Sequence, residues 1–572
     1  MKRFLLSLLL LLAGMAAQAQ KVYLWPQGRM PDAQPQQYAA MTDVSRAPGF
    51  NPADYAIPYI EWLPAPAKPN GACMILISGG AYNNTCDVSL VKMWADELTK
   101  LGVRCVNLVY RTPRPEGLPI YQSAWEDGQR AVRLVRADSA GRGFDPERIG
   151  VIGMSAGGHL GLLLATSSLT QAYKPIDALD EIPCHINWAV LNAPAYVTTD
   201  GETGTKATRQ GYGPDVALSS VFKFDAGTCP ISFHHGQEDP YSPTGSTLAY
   251  RQLRRLGVPA ELHLYPGKKH GAFGFERAVE FMTQMGFLGP VAPEEKLMDR
   301  FTSDEDRARV IREDIWPAGK MPDAQDHQCQ PYLEWHFPKE LKTTAIQIVY
   351  SGGGYDNNNP DGFEVAPIRR YLNARGMTVV TLKYRTPRPK GLAKHTTAWQ
   401  DLQRTIRLVR AQAASYGLDP DRIGIMGSSA GGHLTLMGTT SSRHKAYLPV
   451  DAVDKEVSCK VQWGIAIYPA YVLSDGVDWH NTTGGNADGL TIVPDFSFDV
   501  DTAPLLEIHG DADPWATMNS VAVWNKMRAM GLDCELHTLA LRVHCFQRTA
   551  SPGTGSYTWM DRIGEFLKGR AL

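Results

Sequence analysis

This chain is short of several things. Neither sign of charge is in excess: 57 Lys and Arg face 59 Asp and Glu, for a formal net charge of −2. No long basic run occurs, so electrostatics gives no reason to expect a nucleic-acid partner. No apolar run reaches the ~20 residues that a membrane span needs. There is no C-x-x-C pair, no cluster with metal-ligand spacing and no cofactor motif, so the expectation is no metal and no cofactor. The glycine-rich loops are not followed by Lys-Ser/Thr, which argues against a phosphate-binding loop. The cysteines number nine, and an odd count leaves at least one unpaired thiol in a monomer. Only Cys184 and Cys459 recur at equivalent places, and most of the nine read as small buried hydrophobes. What remains is an ordinary globular composition, 44% hydrophobic and 20% charged.

The first residues, Met1-Lys2-Arg3 and then Phe4 to Leu12, form a charged segment and an apolar segment, with Ala17-Gln18-Ala19 as small cleavage-site residues. They predict a secretory signal peptide at 1–19, cleaved before Gln20. The apolar run is short for a membrane anchor, and no Cys stands at the cleavage point. A periplasmic or secreted protein with no membrane contact after cleavage is expected.

The most informative presence is a repeat. Gly153-Met154-Ser155-Ala156-Gly157 recurs as Gly427-Ser428-Ser429-Ala430-Gly431, and the two serines lie 274 positions apart. Asp239 and Asp513 keep that spacing, as do His270 and His544. A period this long means two complete domains, not a solenoid. Each repeat opens on a Trp-Pro signature, Trp25 to Gln34 and Trp316 to Gln325. Trp25 to Tyr110 spans 85 positions and Trp316 to Tyr384 spans 68, so the first repeat carries 17 more residues, mostly around 36–58. The boundaries read as domain 1 at 20–290, a charged linker at 291–312 and domain 2 at 313–572.

Short β-branched runs alternate with longer amphipathic stretches. In the first repeat the strand-like runs are 73–78, 103–110, 149–154, 187–192, 231–235 and 260–265. In the second they are 346–351, 378–384, 423–427, 461–467, 505–509 and 534–539. Helical periodicity covers 88–101 and 124–140. The fold class is α/β, two tandem domains, each a mostly parallel sheet flanked by helices. In such sheets the site lies at the carboxyl ends of the strands.

Ser155 and Ser429 each stand between a strand-like run and an apolar helical stretch, the context of a nucleophile elbow. Ser428 aligns with Met154 and is not the nucleophile. A serine hydroxyl needs a base to take its proton; His270 and His544 are the candidates, and His234 and His509 are rivals that read better as packed or loop-ordering residues. Asp239 and Asp513 would fix the imidazole tautomer; the nearby acids Glu238 and Asp511 are not repeated. The oxyanion hole needs two N–H donors. One should come from Ala156 or Ala430. The other should come from the loop Ser78-Gly79-Gly80-Ala81-Tyr82 or its counterpart Ser351-Gly352-Gly353-Gly354-Tyr355, with Gly80, Ala81, Gly353 and Gly354 favoured. Arg111 and Arg385 either touch a polar substrate or brace the loop over the site, the second reading being preferred.

With these motifs in hand, each repeat resembles the α/β-hydrolase superfamily, and within it the bacterial esterases related to acetylxylan and feruloyl esterases. The shared elements are the Gly-Gly-x-Tyr loop, the Tyr-Arg after the next strand, Gly-x-Ser-Ala-Gly-Gly-His ending at His159 and His433, the His-Gly-x-x-Asp and the late histidine. Ser78 and Ser351 stand where the His-Gly-Gly-Gly esterases have His, and Val543 replaces a Gly often found before the late histidine. The resemblance implies acyl transfer to water through an acyl-serine. Export and two esterase units imply an acylated oligo- or polysaccharide such as xylan, losing acetate or a hydroxycinnamate. The segments 198–228 and 473–503 are expected to cap the two pockets. They differ, with Trp479 and His480 against Gly204 and Thr205, so the two domains are expected to differ in preference. Two other readings are a serine peptidase of the prolyl-oligopeptidase type, against which no propeller-like repeat precedes either domain, and one active esterase domain beside a non-catalytic one.

Overall fold

The computed structural model describes residues 20–86, 88–201, 216–301 and 303–572. The expected signal peptide, and residues 202–215 of the first expected cap, lie outside the described residues. The chain divides into two units, Met1–Val291 and Ala292–Leu572.

In the first unit the strands are β1 (Gln20–Tyr23), β2 (Tyr59–Trp62), β3 (Cys73–Ile77), β4 (Arg104–Val109), β5 (Ile149–Met154), β6 (Trp188–Asn192), β7 (Ile231–Gly236) and β8 (Ala260–Tyr265). Their order is β1-β2-β4-β3-β5-β6-β7-β8. The pairings of β1 with β2 and of β2 with β4 are antiparallel; the rest are parallel. The second unit has β9 (Arg307–Asp314), β10 (Tyr332–Pro338), β11 (Ile346–Tyr350), β12 (Thr378–Lys383), β13 (Ile423–Ser428), β14 (Trp463–Ile467), β15 (Leu505–Gly510) and β16 (Cys534–Leu539). Order and direction repeat those of the first unit. Every residue of β3 and β11 is buried, as a parallel strand covered on both faces requires. This is the α/β-hydrolase architecture.

Two expectations are corrected. The expected linker at 291–312 is not a linker: from Ala292 onward it is part of the second unit. Leu297 is in its core, Glu295–Lys296 pairs with Thr549–Ala550, and β9 forms an antiparallel ladder with β10. β9 is mostly charged and exposed, so no apolar periodicity marks it; its backbone groups are satisfied by the ladder instead. The antiparallel strands β1, β2, β9 and β10 were not among the expected strands; β1 and β9 are exposed edges, whereas β2 and β10 lie inside the sheet and are mostly buried.

The Trp-Pro signature docks on a buried carboxylate. Trp25 Nε1 donates to Asp127 Oδ1 at 2.8 Å, and Trp316 Nε1 to Asp401 Oδ1 at 2.7 Å. The side chains of Arg111 and Arg385 are fully buried against the same two acids, at 2.9 Å each. They also donate to the carbonyls of Pro31 (2.7 Å) and Pro322 (2.6 Å). The arginines therefore brace the opening segment of each repeat against the helices Gln122–Ala137 and Thr396–Ala413, and are sealed from solvent. Among the described residues no two cysteines are joined by a disulfide, and six of the nine are buried. Among the described residues no helix is long and apolar enough to cross a membrane.

Candidate active site

Ser155 leaves β5 and caps the helix Ala156–Thr166; Ser429 leaves β13 and caps Ala430–Thr440. Both serines sit at φ 56°, with ψ −120° and −119°, a strained conformation for a residue with a side chain. Packing enforces it. Ser155 N–H donates to Asn192 O at 3.0 Å and Ser429 N–H to Ile467 O at 2.9 Å. A Cβ on Gly153 would lie 2.2 Å from Gly157 O, and one on Gly427 2.5 Å from Gly431 O. The motif needs glycine there because the turn brings strand and helix backbones into contact. Ser428 turns away into the interior, where its Oγ lies 3.3 Å from Gln547 Oε1.

In the second unit the three groups form a continuous chain. His544 Nε2 is 2.9 Å from Ser429 Oγ, and His544 Nδ1 is 2.6 Å from Asp513 Oδ2. In the first unit His270 Nδ1 is 2.8 Å from Asp239 Oδ2, and no hydrogen bond joins His270 to Ser155 among the described residues. Burial raises the Asp239 carboxyl, but hydrogen bonds from His235 and His270 outweigh it and bring it down to about 2. Asp513 is likewise buried, and His509 and His544 hold it well below the usual carboxylate range. Both acids are thus ionised at neutral pH, as is needed to orient an imidazole and stabilise its protonated form.

The loops named for the oxyanion hole lie against the nucleophiles: a Cβ on Gly79 would be 2.8 Å from Ser155 Cβ, and one on Gly352 2.7 Å from Ser429 Cβ. Gly80 O accepts from Asn83 and Asn84, and Gly353 O from Asp356 and Asn357. These bonds turn the carbonyls away. Among the described residues, the N–H groups of Gly80, Ala81 and Ala156 have no acceptor within the protein, nor do those of Gly353, Gly354 and Ala430. They are free to serve developing negative charge.

Several site residues escaped the sequence reading. Arg114 Nε donates to Ala81 O at 2.9 Å and Arg388 Nε to Gly354 O at 2.8 Å, tethering the donor loop; both stand in the repeated Tyr-Arg-Thr-Pro-Arg-Pro, where only the first arginine drew attention. The true counterpart of His509 is His235, not His234. His235 Nε2 lies 3.2 Å from Asp239 Oδ2 and His509 Nε2 3.5 Å from Asp513 Oδ2, while their Nδ1 atoms meet Ser246 and Ser520, each at 2.9 Å. They support the acids, and His234 instead stacks on His263. Tyr241 packs on His270 at 4.9 Å and Trp515 on His544 at 4.3 Å between ring centroids. Trp515 meets His480 and Trp479 at 4.0 and 5.9 Å, so the segment 473–503 does reach the second site. Gly204 and Thr205 lie outside the described residues.

The second unit also carries a buried polar group behind its donor loop. Glu364 accepts from Gly352 N–H at 2.9 Å and from the Tyr468 hydroxyl at 3.1 Å, and burial pushes its carboxyl up. The Tyr468 ring lies 4.7 Å from that of His544. The first repeat has Ala193 in the place of Tyr468. Comparing the repeats for such polar-for-apolar exchanges would have exposed the group. Glu364→Leu strands the Gly352 amide and is expected to cost the second unit about 1–3 kcal/mol, read as a shift of its urea midpoint with the first unit's transition unchanged.

The profile of the BD-FAE family matches residues 62–190 and 333–527, together more than half of the chain. The chain is 26% identical over 228 residues to an acetylxylan esterase of Xylanibacter ruminicola, covering 38% of this chain and 45% of that protein. It is 28% identical over 207 residues to endo-1,4-beta-xylanase B of Butyrivibrio fibrisolvens, covering 35% of this chain and 32% of that protein. The matches thus span less than half the length of these two relatives. Among solved structures, an acetyl ester-xyloside bifunctional hydrolase from Caldicellulosiruptor lactoaceticus is 26% identical, with 45% of this chain and 89% of that chain covered and a TM-score of 0.35. On the extent of the profile match, across both repeats, the chain belongs to the BD-FAE family.

Proposed function

We propose that the chain is a serine carboxylic-ester hydrolase with two Ser-Asp-His sites that deacylates a plant polysaccharide of the xylan class. The observation that carries this reading is the unbroken Ser429–His544–Asp513 chain at a strained strand-to-helix turn. Ser429 Oγ attacks the ester carbonyl carbon while His544 Nε2 takes its proton. The oxyanion so formed accepts from Ala430 N–H and from the Gly353 or Gly354 amide. As the intermediate collapses, the ester C–O bond breaks and His544 returns the proton to the departing sugar oxygen. Water, activated by the same histidine, then attacks the acyl-serine and releases the acid. Ser155, Asp239, His270, Ala156 and the Gly80–Ala81 amides would do the same in the first unit. The acetylxylan esterase and xylanase relatives favour an acylated xylan over a peptide. The Trp515, His480 and Trp479 rings favour a planar acyl group or a sugar face at the second site; among the described residues of the first, Tyr241 takes the place of Trp515, with Tyr196 packed beside it. The charged and apolar segments of residues 1–19 support export to where such polymers are met.

The test is release of acetate and of hydroxycinnamate from acetylated and feruloylated xylan by the wild type, Ser155→Ala and Ser429→Ala. Each variant is expected to lose mainly one product. Hydrolysis of a simple aryl ester with no acid released from either xylan would overturn the substrate class; equal loss of both products in both variants would overturn the difference in preference.

A further inference from the structure

The second unit gathers three donors that the hydrolysis does not use. His433 lies one turn beyond Ser429 in the helix Ala430–Thr440, His395 precedes the helix Thr396–Ala413, and Asp495 belongs to the segment 473–503 beside the site. One ligand atom from each lies within 4.8 Å of the other two. His433 Nε2 and His395 Nδ1 each stand 3.4 Å from Asp495 Oδ2. A tetrahedral ion with bonds of about 2.0–2.1 Å has ligand–ligand edges of about 3.3 Å, and these two separations match it. The side chain of His433 is fully buried, and apart from Asp495 neither its Nε2 nor His395 Nδ1 meets a hydrogen-bond partner. The other nitrogen of His433, Nδ1, is 2.8 Å from the hydroxyl of buried Tyr355. Donation of Nδ1–H to that oxygen leaves the Nε2 lone pair facing the cluster, the usual arrangement behind a metal-bound imidazole.

The first unit supplies the control. Its helix keeps His159, bonded to Tyr82 at 2.8 Å and packed on Phe222, as His433 is bonded to Tyr355 and packed on Phe496. Tyr121 takes the place of His395, its ring 5.4 Å from that of His159 where the His395 and His433 rings are 5.5 Å apart. Val221, just before Phe222, takes the place of Asp495. The scaffold is therefore common to both units, and only the second has the three donors. The nearest opposing charge, Lys394, is directed at the Val477 carbonyl and Asp478 and lies over the Tyr471 ring.

We propose that the second unit binds a zinc-type divalent ion through His395 Nδ1, His433 Nε2 and Asp495, with water completing the coordination. Two imidazole nitrogens and one carboxylate select zinc, cobalt or nickel over magnesium and calcium. The ion ties the segment 473–503 to the helix that presents Ser429, and it takes no part in the ester chemistry.

The experiment uses the full chain, untagged, stripped with a chelator and titrated with zinc chloride. One equivalent per chain binds at micromolar or lower concentration, and saturation raises the melting temperature of the second unit by roughly 5 °C. His395→Tyr and Asp495→Val, which install the first unit's residues, lose both the binding and the shift, and magnesium chloride produces neither in the wild type. Should those variants fail to fold, cobalt chloride added to the wild type reports directly: intense visible absorption marks a low-coordinate nitrogen and oxygen site. Less than a fifth of an equivalent bound at tenfold excess zinc, undiminished binding in the folded variants, or no visible cobalt band would each overturn the proposal. None of these readouts depends on ester hydrolysis, so the metal site and the proposed activity fail separately.

Discussion

Ser155→Ala together with Ser429→Ala is expected to lower ester hydrolysis by roughly 10⁴–10⁶-fold, the largest functional effect available in this chain. The expectation rests on geometry in the second unit, where His544 bridges Ser429 and Asp513 at 2.9 and 2.6 Å. In the first unit it rests on the identical backbone at Ser155 and the His270–Asp239 pair. The residues of a triad act as a unit, so removing the nucleophile alone forfeits most of the catalysis. A fluorophosphonate, whose phosphorus the serine Oγ attacks with loss of fluoride, counts the sites. The wild type should take up two equivalents, each single variant one, and the double variant none. One equivalent on the wild type, lost with only one of the two substitutions, would mean that the other repeat is not catalytic.

Arg385→Leu is expected to have the largest effect on stability. Its guanidinium is fully buried, with donors on Asp401, Gln400 and the carbonyls of Pro322 and Thr397. Removing it leaves Asp401 buried with hydrogen bonds from Trp316 and the backbone but without the cation. Breaking a buried pair in this way costs about 3–5 kcal/mol, or on the order of 10 °C in the melting of a domain of this size. Adding Asp401→Asn removes the stranded charge and should recover part of the loss. A cost under about 1 kcal/mol would show that water reaches the carboxylate and that the brace is dispensable. Because the side chain is sealed from solvent, the effect should appear in melting and not in KM.

Sequence spacing and the surrounding periodicities were enough to single out Ser155, Asp239 and His270 with their partners in the second repeat. Each follows a short apolar run, and parallel strands buried on both faces leave a strong local imprint. The charged strand β9 left none. Its stability lies in pairing with β10, a contact between segments that sequence periodicity does not record, and so residues 291–312 read as a linker. His235, Arg114 and Arg388, and Glu364 were missed for a related reason. Their parts depend on which carbonyl or carboxylate lies across from them, and local sequence says nothing of that.

The sequence by itself determined the duplication, the α/β class and the residue types of the candidate sites, because these are local signals written twice. Tertiary structure alone decided three matters. Strand-to-helix packing sets the strained φ of Ser155 and Ser429. The sheet edge turns an apparent linker into a strand. Three distant segments bring His395, His433 and Asp495 together in one unit, while the other places Tyr121 and Val221 around His159. Each of these depends on contacts between residues far apart in the chain, and such contacts exist only once the core has closed.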